Sequence, residues 1–322
     1  MLKTAIIVSV IGIGLYYFFI PFATGSCEYY GKERLDGKTV IVTGANTGIG
    51  KTAAADLAQR GARVICACRS MERCNAAVAD IKRETNNVQV VAAKLDLGSM
   101  KSIREFAQMF KNTEKRLDIL INNAGIGCRN VDKKTEDGFE DRMGVNHLGH
   151  FLLTNLLLDM LKQSQPSRIV CLTSLIHWTT TDLDFDNLAN HTSTSSCDNY
   201  SRSKIANILF VLELSKRLKG TGVTANAVHP GLVQTETLRS ARESEGFLAT
   251  SYTKFMEVVF LLVGNDARRG AQTTVYAAVD PSLENVSGQF LARCKIDTPS
   301  PYARDEAVAK KLYDMSLKLV NL

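Results

Sequence analysis

The sequence predicts a doubly wound α/β fold, a single domain built on a mostly parallel sheet and preceded by an apolar N-terminal segment. Three observations carry this. Short apolar runs rich in Val, Ile and Ala alternate with longer amphipathic stretches, and a glycine-rich turn joins the first run to the first such stretch. No internal repeat, low-complexity tract or Pro/Gly/Ser linker divides the chain. At 322 residues it exceeds a usual domain, yet one large α/β domain can use all of it.

The apolar runs are Thr39–Thr43, Val64–Ala67, Val88–Lys94, Ile119–Asn122, Ile169–Thr173 and Thr224–Val228. Strands covered on both faces of a parallel sheet are continuously apolar in this way, because neither face meets water. Between them Lys51–Arg60, Met100–Phe110, Phe151–Leu161 and Ser201–Leu218 have helical spacing, and Cys74 falls on a further helix.

Ahead of the domain, Ala5 to Ala23 run for 19 residues without a charge. At 1.5 Å per helical residue such a segment nearly crosses a hydrocarbon core of about 30 Å. We therefore expect residues 1–24 to be a membrane anchor. A cleaved signal peptide is the competing expectation, with Ala23-Thr24-Gly25 as a small-residue cleavage site, although the apolar stretch is longer than a signal core. Lys32, Arg34 and Lys38 follow the segment and only Lys3 precedes it, which favours a cytosolic catalytic domain.

Composition excludes little. The net charge of +6 is scattered rather than gathered into a stripe, so nucleic acid is not an expected partner. None of the eight cysteines forms a CxxC, and no Cys/His cluster has zinc spacing, so no metal is expected. Cys66, Cys68, Cys74 and Cys171 fit small buried hydrophobes in a reducing compartment. Cys27, Cys128 and Cys197 fall in loops, where a bond among them stays open.

Thr43-Gly44-Ala45-Asn46-Thr47-Gly48-Ile49-Gly50 ends the first strand and opens the first helix. Glycines there let a pyrophosphate approach the backbone, and the helix N-terminus supplies N–H donors and partial positive charge. This is the context of a Rossmann-type dinucleotide site. An NAD-binding chain usually carries an acid at the end of the second strand for the ribose 2′-hydroxyl. Here Arg69 stands there instead, suited to a 2′-phosphate, so NADP(H) is the expected cofactor; Lys51 is left open between adding charge there and pointing to solvent. Asp96 and Leu97 close the third strand, where the acid can meet the adenine amino group or simply cap the next helix.

Tyr200 and Lys204 lie four residues apart on one helix face, 26 residues beyond Ser174 at a strand end. Carbonyl reduction needs a proton at oxygen as hydride reaches carbon, and a phenol with an ordinary pKa of about 10 needs help to exchange one near neutrality. Lys204 is the candidate for lowering that value; Ser174 would orient the substrate oxygen, and Asn146 could hold a water linking Lys204 to solvent. His177 and Trp178 should edge the pocket, His177 as a structural or substrate-contacting side chain.

In this order the motifs resemble the short-chain dehydrogenase/reductase family over about residues 36–290: TGxxxGIG at 43–50, Asn122-Asn123-Ala124-Gly125, Asn146, Ser174, Tyr200/Lys204 and Pro230-Gly231. Thr173 and Arg202 depart from commoner family choices without removing a chemical group. The apolar N-terminus, GANTGIGK, ACRS, VNHLGHF and HPGLVQTE are similar to the membrane-anchored retinol dehydrogenase branch. The resemblance implies catalysis by Tyr200, Lys204, Ser174 and Asn146. It implies NADP(H) contacts from Gly44, Asn46, Thr47, Gly48, Ile49, Gly50, Arg69, Asp96, Leu97, Asn123, Ala124, Gly125, Tyr200, Lys204, Pro230, Gly231, Val233 and Thr235. The domain would run over 36–322 with a substrate lid at about 239–264, whose apolar residues from Phe247 to Val263 suit a long hydrophobic substrate or a membrane surface. The implied substrate is a retinoid alcohol or aldehyde at the endoplasmic reticulum membrane. A steroid or lipid aldehyde on the same chemistry, a non-catalytic nucleotide-binding scaffold, a secreted or mitochondrial-membrane location and a homo-oligomer are the alternatives left open.

Overall fold

The computed structural model describes residues 27–128, 133–191, 197–233 and 266–322. The expected anchor over 1–24, the lid over 239–264 and Thr235 lie outside the described residues. Among those described, no helix is long and apolar enough to cross a membrane.

Among the described residues eight strands form one sheet: β1 (Thr39–Thr43), β2 (Arg63–Cys68), β3 (Val90–Lys94), β4 (Ile119–Asn122), β5 (Ser167–Leu172), β6 (Val223–His229), β7 (Phe290–Ala292) and β8 (Lys295–Asp297). Their order is β3-β2-β1-β4-β5-β6-β7-β8. All neighbours are parallel except β7 and β8, which form an antiparallel edge. The six expected runs all become strands; β7 and β8, three residues each, carry too short a pattern to be read beforehand.

The helices are α1 (Gly48–Gln59), α2 (Met71–Thr85), α3 (Met100–Thr113), α4 (His150–Gln163), α5 (Asp198–Arg217), α6 (Ala267–Val279) and α7 (Glu306–Leu319). Alternate residues of each strand point to opposite faces. Val40 and Val42 pack in one core with α1, α2 and α6, while Ile41 packs in the other with α3, α4, α5 and α7. Both faces are thus dry, which is why the strand sequences show no polar alternation. Local chemistry sets the helix ends. Ser70, Ser99, Asp266 and Asp305 cap the starts of α2, α3, α6 and α7, each accepting a backbone N–H of the first turn. Asn86 ends α2 in the left-handed region at φ 56°.

On the second face α4, α5 and α7 meet through Phe151, Phe210 and Tyr313, with ring centroids 5.1 Å apart for Phe151–Phe210 and 4.9 Å for Phe151–Tyr313. Ahead of α4 the segment Met143–Gly149 makes a π-helical turn, a rare form often found at functional sites.

Three disulfides join Cys27 to Cys294, Cys68 to Cys74 and Cys128 to Cys197. Only Cys66 and Cys171 are the buried free thiols expected, and burial pushes both up to about 12. Cys68 and Cys74 are thus paired rather than free buried thiols, while the Cys128–Cys197 bond is one of those the sequence left open. Linear spacing hides the first because the fold makes the encounter: Cys294 lies in the β7–β8 turn, 267 residues from Cys27.

Burial also holds the imidazoles of His147, His150, His177 and His229 below their ordinary value, to about 4 for His147 and about 3 for His150 and His229. Because the folded values lie under the unfolded value of about 6.5, the unfolded chain takes up protons first as pH falls, and stability is lost through that window. Each such histidine removes up to about 1.4 kcal/mol per pH unit below about 6.5. Carboxylates in the unfolded chain do not titrate until about pH 4, so the histidines govern the upper part of the range. The thermal unfolding midpoint should therefore fall steadily between about pH 6.5 and 4.5. A midpoint flat over that range in a fluorescence melt would contradict it.

Candidate active site

The strand order reverses between β1 and β4, so the connections after them leave in opposite directions and open a crevice where open α/β sheets bind ligands. The glycine turn enters it from one side. Gly44 sits at φ +67°, and a Cβ there would stand 3.0 Å from the Ala124 backbone. A Cβ on Gly50 would come within 2.4 Å of Asn123 Nδ2, so only glycine lets α1 start this close to the end of β4. Thr47, extended at φ −159°, precedes α1, whose first turn carries no acid. Asn46 and Ile49 are half-buried beside it. The cradle therefore offers free N–H donors and a pocket of glycine-sized surface, which fits a dinucleotide pyrophosphate.

The Thr43 hydroxyl ties the cradle to β4. It accepts the backbone N–H of Asn123 at 2.9 Å and of Ala124 at 3.0 Å, while Asn123 Nδ2 donates to the Thr43 carbonyl at 2.8 Å. Gly125 follows. A Cβ there would lie 3.4 Å from both Asn146 Oδ1 and Lys204 Nζ, so the bare glycine keeps space open between the glycine turn and these two side chains.

Beyond β2, Arg69 is exposed and forms no ion pair among the described residues. Lys94, at the end of β3, donates to the Arg69 carbonyl at 2.6 Å, adding a second cation that the sequence analysis did not single out. Lys51, left open between this role and solvent, is bound to Asp80 at 2.7 Å. Asp96 accepts the Gly98 N–H at 2.9 Å, forming a local turn, and Ser99 rather than Asp96 caps α3. Leu97 is buried, packing its carbonyl against Gly149.

On the catalytic side β5 and α5 are laced together. Thr173 Oγ1 donates to the Lys204 carbonyl at 2.7 Å, and Asn207 Nδ2 to the Leu172 carbonyl at 3.0 Å. Lys204 is buried, its Nζ donating to the Leu172 carbonyl at 3.2 Å and standing 5.6 Å from the centroid of the Tyr200 ring. Burial lowers Lys204 to about 8. Tyr200 runs opposite to the direction expected from its neighbour: burial raises the phenol, and a hydrogen bond with Ser174 is what pulls it back. Arg202, on the same helix, turns away to Asp198 at 3.1 Å and to the Asp182 carbonyl at 2.7 Å, leaving the Tyr200/Lys204 face clear.

Asn146 sits on the π-helical turn with its side chain fully engaged. Oδ1 accepts the Ile126 N–H at 2.7 Å, and Nδ2 donates to the Ile126 carbonyl and to Ser203 Oγ, both at 2.9 Å. This amide therefore fixes the loop after β4 to α5, a joining role that its residue type alone does not disclose. His177 is structural. Its Nε2 accepts the Ser300 N–H at 3.1 Å, so Nδ1 carries the proton and donates to the Ser174 carbonyl at 2.7 Å. Pro230 and Gly231, the latter at φ +83°, end β6, and Val233 packs on Gly270 of α6.

A phenol, a buried ammonium and a serine hydroxyl thus converge beside a dinucleotide cradle, and comparison with known proteins agrees. The model for short chain dehydrogenases matches residues 38–246. The chain belongs to the short-chain dehydrogenase family. It is 49% identical to human retinol dehydrogenase 13 over 302 residues, covering 92% of this chain and 88% of that protein. Human retinol dehydrogenase 11 is 46% identical over 289 residues, covering 90% and 87%. A crystal structure of an uncharacterized protein from Mycobacterium paratuberculosis superposes with a TM-score of 0.71 at 35% identity, over 90% of this chain and 95% of that one. Within its family the chain falls in the retinol dehydrogenase branch, and it is an oxidoreductase that uses a nicotinamide dinucleotide.

Gly50→Ala should lower the affinity for the reduced nicotinamide dinucleotide roughly tenfold or more, a change of about 1.4 kcal/mol, read by nucleotide fluorescence titration. Unchanged affinity would remove the glycine turn from the cofactor site.

Proposed function

We propose that this protein interconverts an apolar alcohol and its aldehyde or ketone with NADP(H), and that retinol and retinal are the pair it handles at a membrane. The observation that carries the chemistry is the meeting of Tyr200, Ser174 and Lys204 at the end of β5, on the cofactor side of the sheet. The retinoid assignment rests on the retinol dehydrogenase names of its relatives.

When bound, the nicotinamide supplies or accepts the hydride. The chain does the rest. Burial keeps the Tyr200 phenol protonated near neutrality, which suits it to give a proton to a carbonyl oxygen during reduction. Ser174, the neighbour that lowers the Tyr200 phenol against the effect of burial, would hold that oxygen within reach. Lys204 puts a cation beside the phenol, favouring the phenolate that remains once the proton has gone. Asn146 serves by holding the Ile126 loop against Ser203.

The preference for NADP(H) over NAD(H) draws on Arg69, exposed and without an ion pair among the described residues, with Lys94 beside it and no acid at the end of β2. A retained anchor in residues 1–24 would hold the enzyme where a retinoid dissolves. The flanking charges favour a cytosolic face, whereas the three disulfides favour an oxidising one.

Two substitutions test this function. Tyr200→Phe should cut turnover of all-trans-retinal with NADPH by about two to four orders of magnitude while leaving NADPH binding nearly intact. Equal activity in that variant would sink the acid–base role. Arg69→Asp should weaken NADPH relative to NADH by roughly ten- to a hundredfold, as expected for loss of a charge-assisted hydrogen bond of about 1.5–3 kcal/mol. An unchanged preference in steady-state kinetics would refute the cofactor assignment.

A further inference from the structure

One buried side chain touches both halves of the site. His150, at the start of α4, lies four residues after Asn146, so the helical turn brings its ring over the Asn146 carbonyl. Nδ1 stands 3.0 Å from that carbonyl and Nε2 stands 2.9 Å from Thr43 Oγ1. A carbonyl can only accept, so Nδ1 must carry the ring proton and Nε2 must be the acceptor. The Thr43 hydroxyl has one hydrogen, and its oxygen already accepts the N–H groups of Asn123 and Ala124. Its hydrogen therefore goes to His150 Nε2, in preference to the Ile121 carbonyl at 3.3 Å. Every donor and acceptor in this chain is satisfied in one arrangement only, and a protonated or tautomerised imidazole would break it.

We propose that His150 is a positioning residue that sets the π-helical turn bearing Asn146 in register with the Thr43 end of the cofactor cradle. Asn146 in turn holds the Ile126 loop and Ser203 of α5, so a shift of its backbone reaches the helix that carries Tyr200 and Lys204. A shift of Thr43 reaches Asn123 and Ala124, which pack against Gly44 and Gly50. The ring is fully buried, so both bonds form away from competing water. Burial also keeps it neutral, consistent with the acceptor role of Nε2. The proposal rests on the reading of the site as an NADP(H)-dependent carbonyl/alcohol oxidoreductase.

Two conservative variants separate the two bonds. In His150→Gln the amide reaches the place of Nε2 and loses the donor to the Asn146 carbonyl. In His150→Asn it reaches the place of Nδ1 and loses the acceptor for Thr43. Measured with NADPH and all-trans-retinal, His150→Gln should lose kcat by roughly tenfold with a smaller change in NADPH Kd, and His150→Asn should show the reverse order. Equal fold-changes in kcat and Kd for both variants, or values of both within about twofold of wild type, would overturn the proposal. A third arm uses wild-type protein labelled with 15N-histidine: the ring-nitrogen shifts of His150 should report the neutral Nδ1–H form at neutral pH, and the Nε2–H form would overturn the assignment. If wild type turns over no carbonyl, the functional reading fails on its own, while the Kd and tautomer arms still judge His150. If a variant does not fold, the wild-type tautomer decides.

Discussion

The junction between the ends of β1 and β4 is the constraint on which the rest of the site depends. Two parallel strands that belong to opposite halves of the fold must end side by side, and their helices leave in opposite directions. The Thr43 hydroxyl closes that junction by accepting two consecutive backbone N–H groups from the loop after β4. The backbones approach so closely that Gly44 and Gly50 admit no side chain. Phosphate binding and catalytic geometry are therefore coupled from the outset. The turn that receives the nucleotide is hydrogen-bonded to the loop that runs, through Gly125 and Ile126, into the catalytic half.

Electrostatics follow from the same packing. Lys204 is a buried cation whose Nζ is held by the Leu172 carbonyl, and burial brings its pKa down to about 8. Tyr200 is pushed the other way by the same burial. A pair of this kind keeps the phenol protonated and the amine predominantly charged near neutrality, the state from which a proton can be given to a reduced oxygen. The buried His150 beside it is held neutral, so its ring adds no positive charge next to Lys204. His150 and His177 serve instead as rigid two-ended hydrogen-bond struts.

Much of this was legible in the sequence where a signal is local. The six long strands stand where continuous apolar runs place them, because burial on both faces of a parallel sheet leaves no polar position to confuse the pattern. The glycine turn and the four-residue spacing of Tyr200 and Lys204 are equally local. What escaped is non-local or short. The β7–β8 edge has three residues per strand, and the Cys27–Cys294 disulfide joins cysteines 267 residues apart that only the fold brings together. Lys51, which the sequence left open between the cofactor and solvent, answers Asp80, a partner on α2 that no spacing rule identifies. The rise in Tyr200 was invisible for a related reason: a neighbouring lysine can be read from spacing, whereas burial cannot.

His150 and Thr43 fall between these cases. Both stand inside quoted motifs, yet neither residue type announces a role, since a threonine at a strand end and a histidine in a helix are ordinary core residues. Their significance appears only when donors and acceptors are counted. Thr43 has one hydrogen and two occupied lone pairs; His150 has one N–H, and it faces the Asn146 carbonyl, which can only accept. That count admits a single arrangement, and it links Asn146 to the cradle without any contact to substrate. In a fold whose active site is assembled from the ends of separate strands, precision must come from such saturated buried bonds, because flexible loop ends cannot hold a phenol, a serine and a cofactor in one register by packing alone.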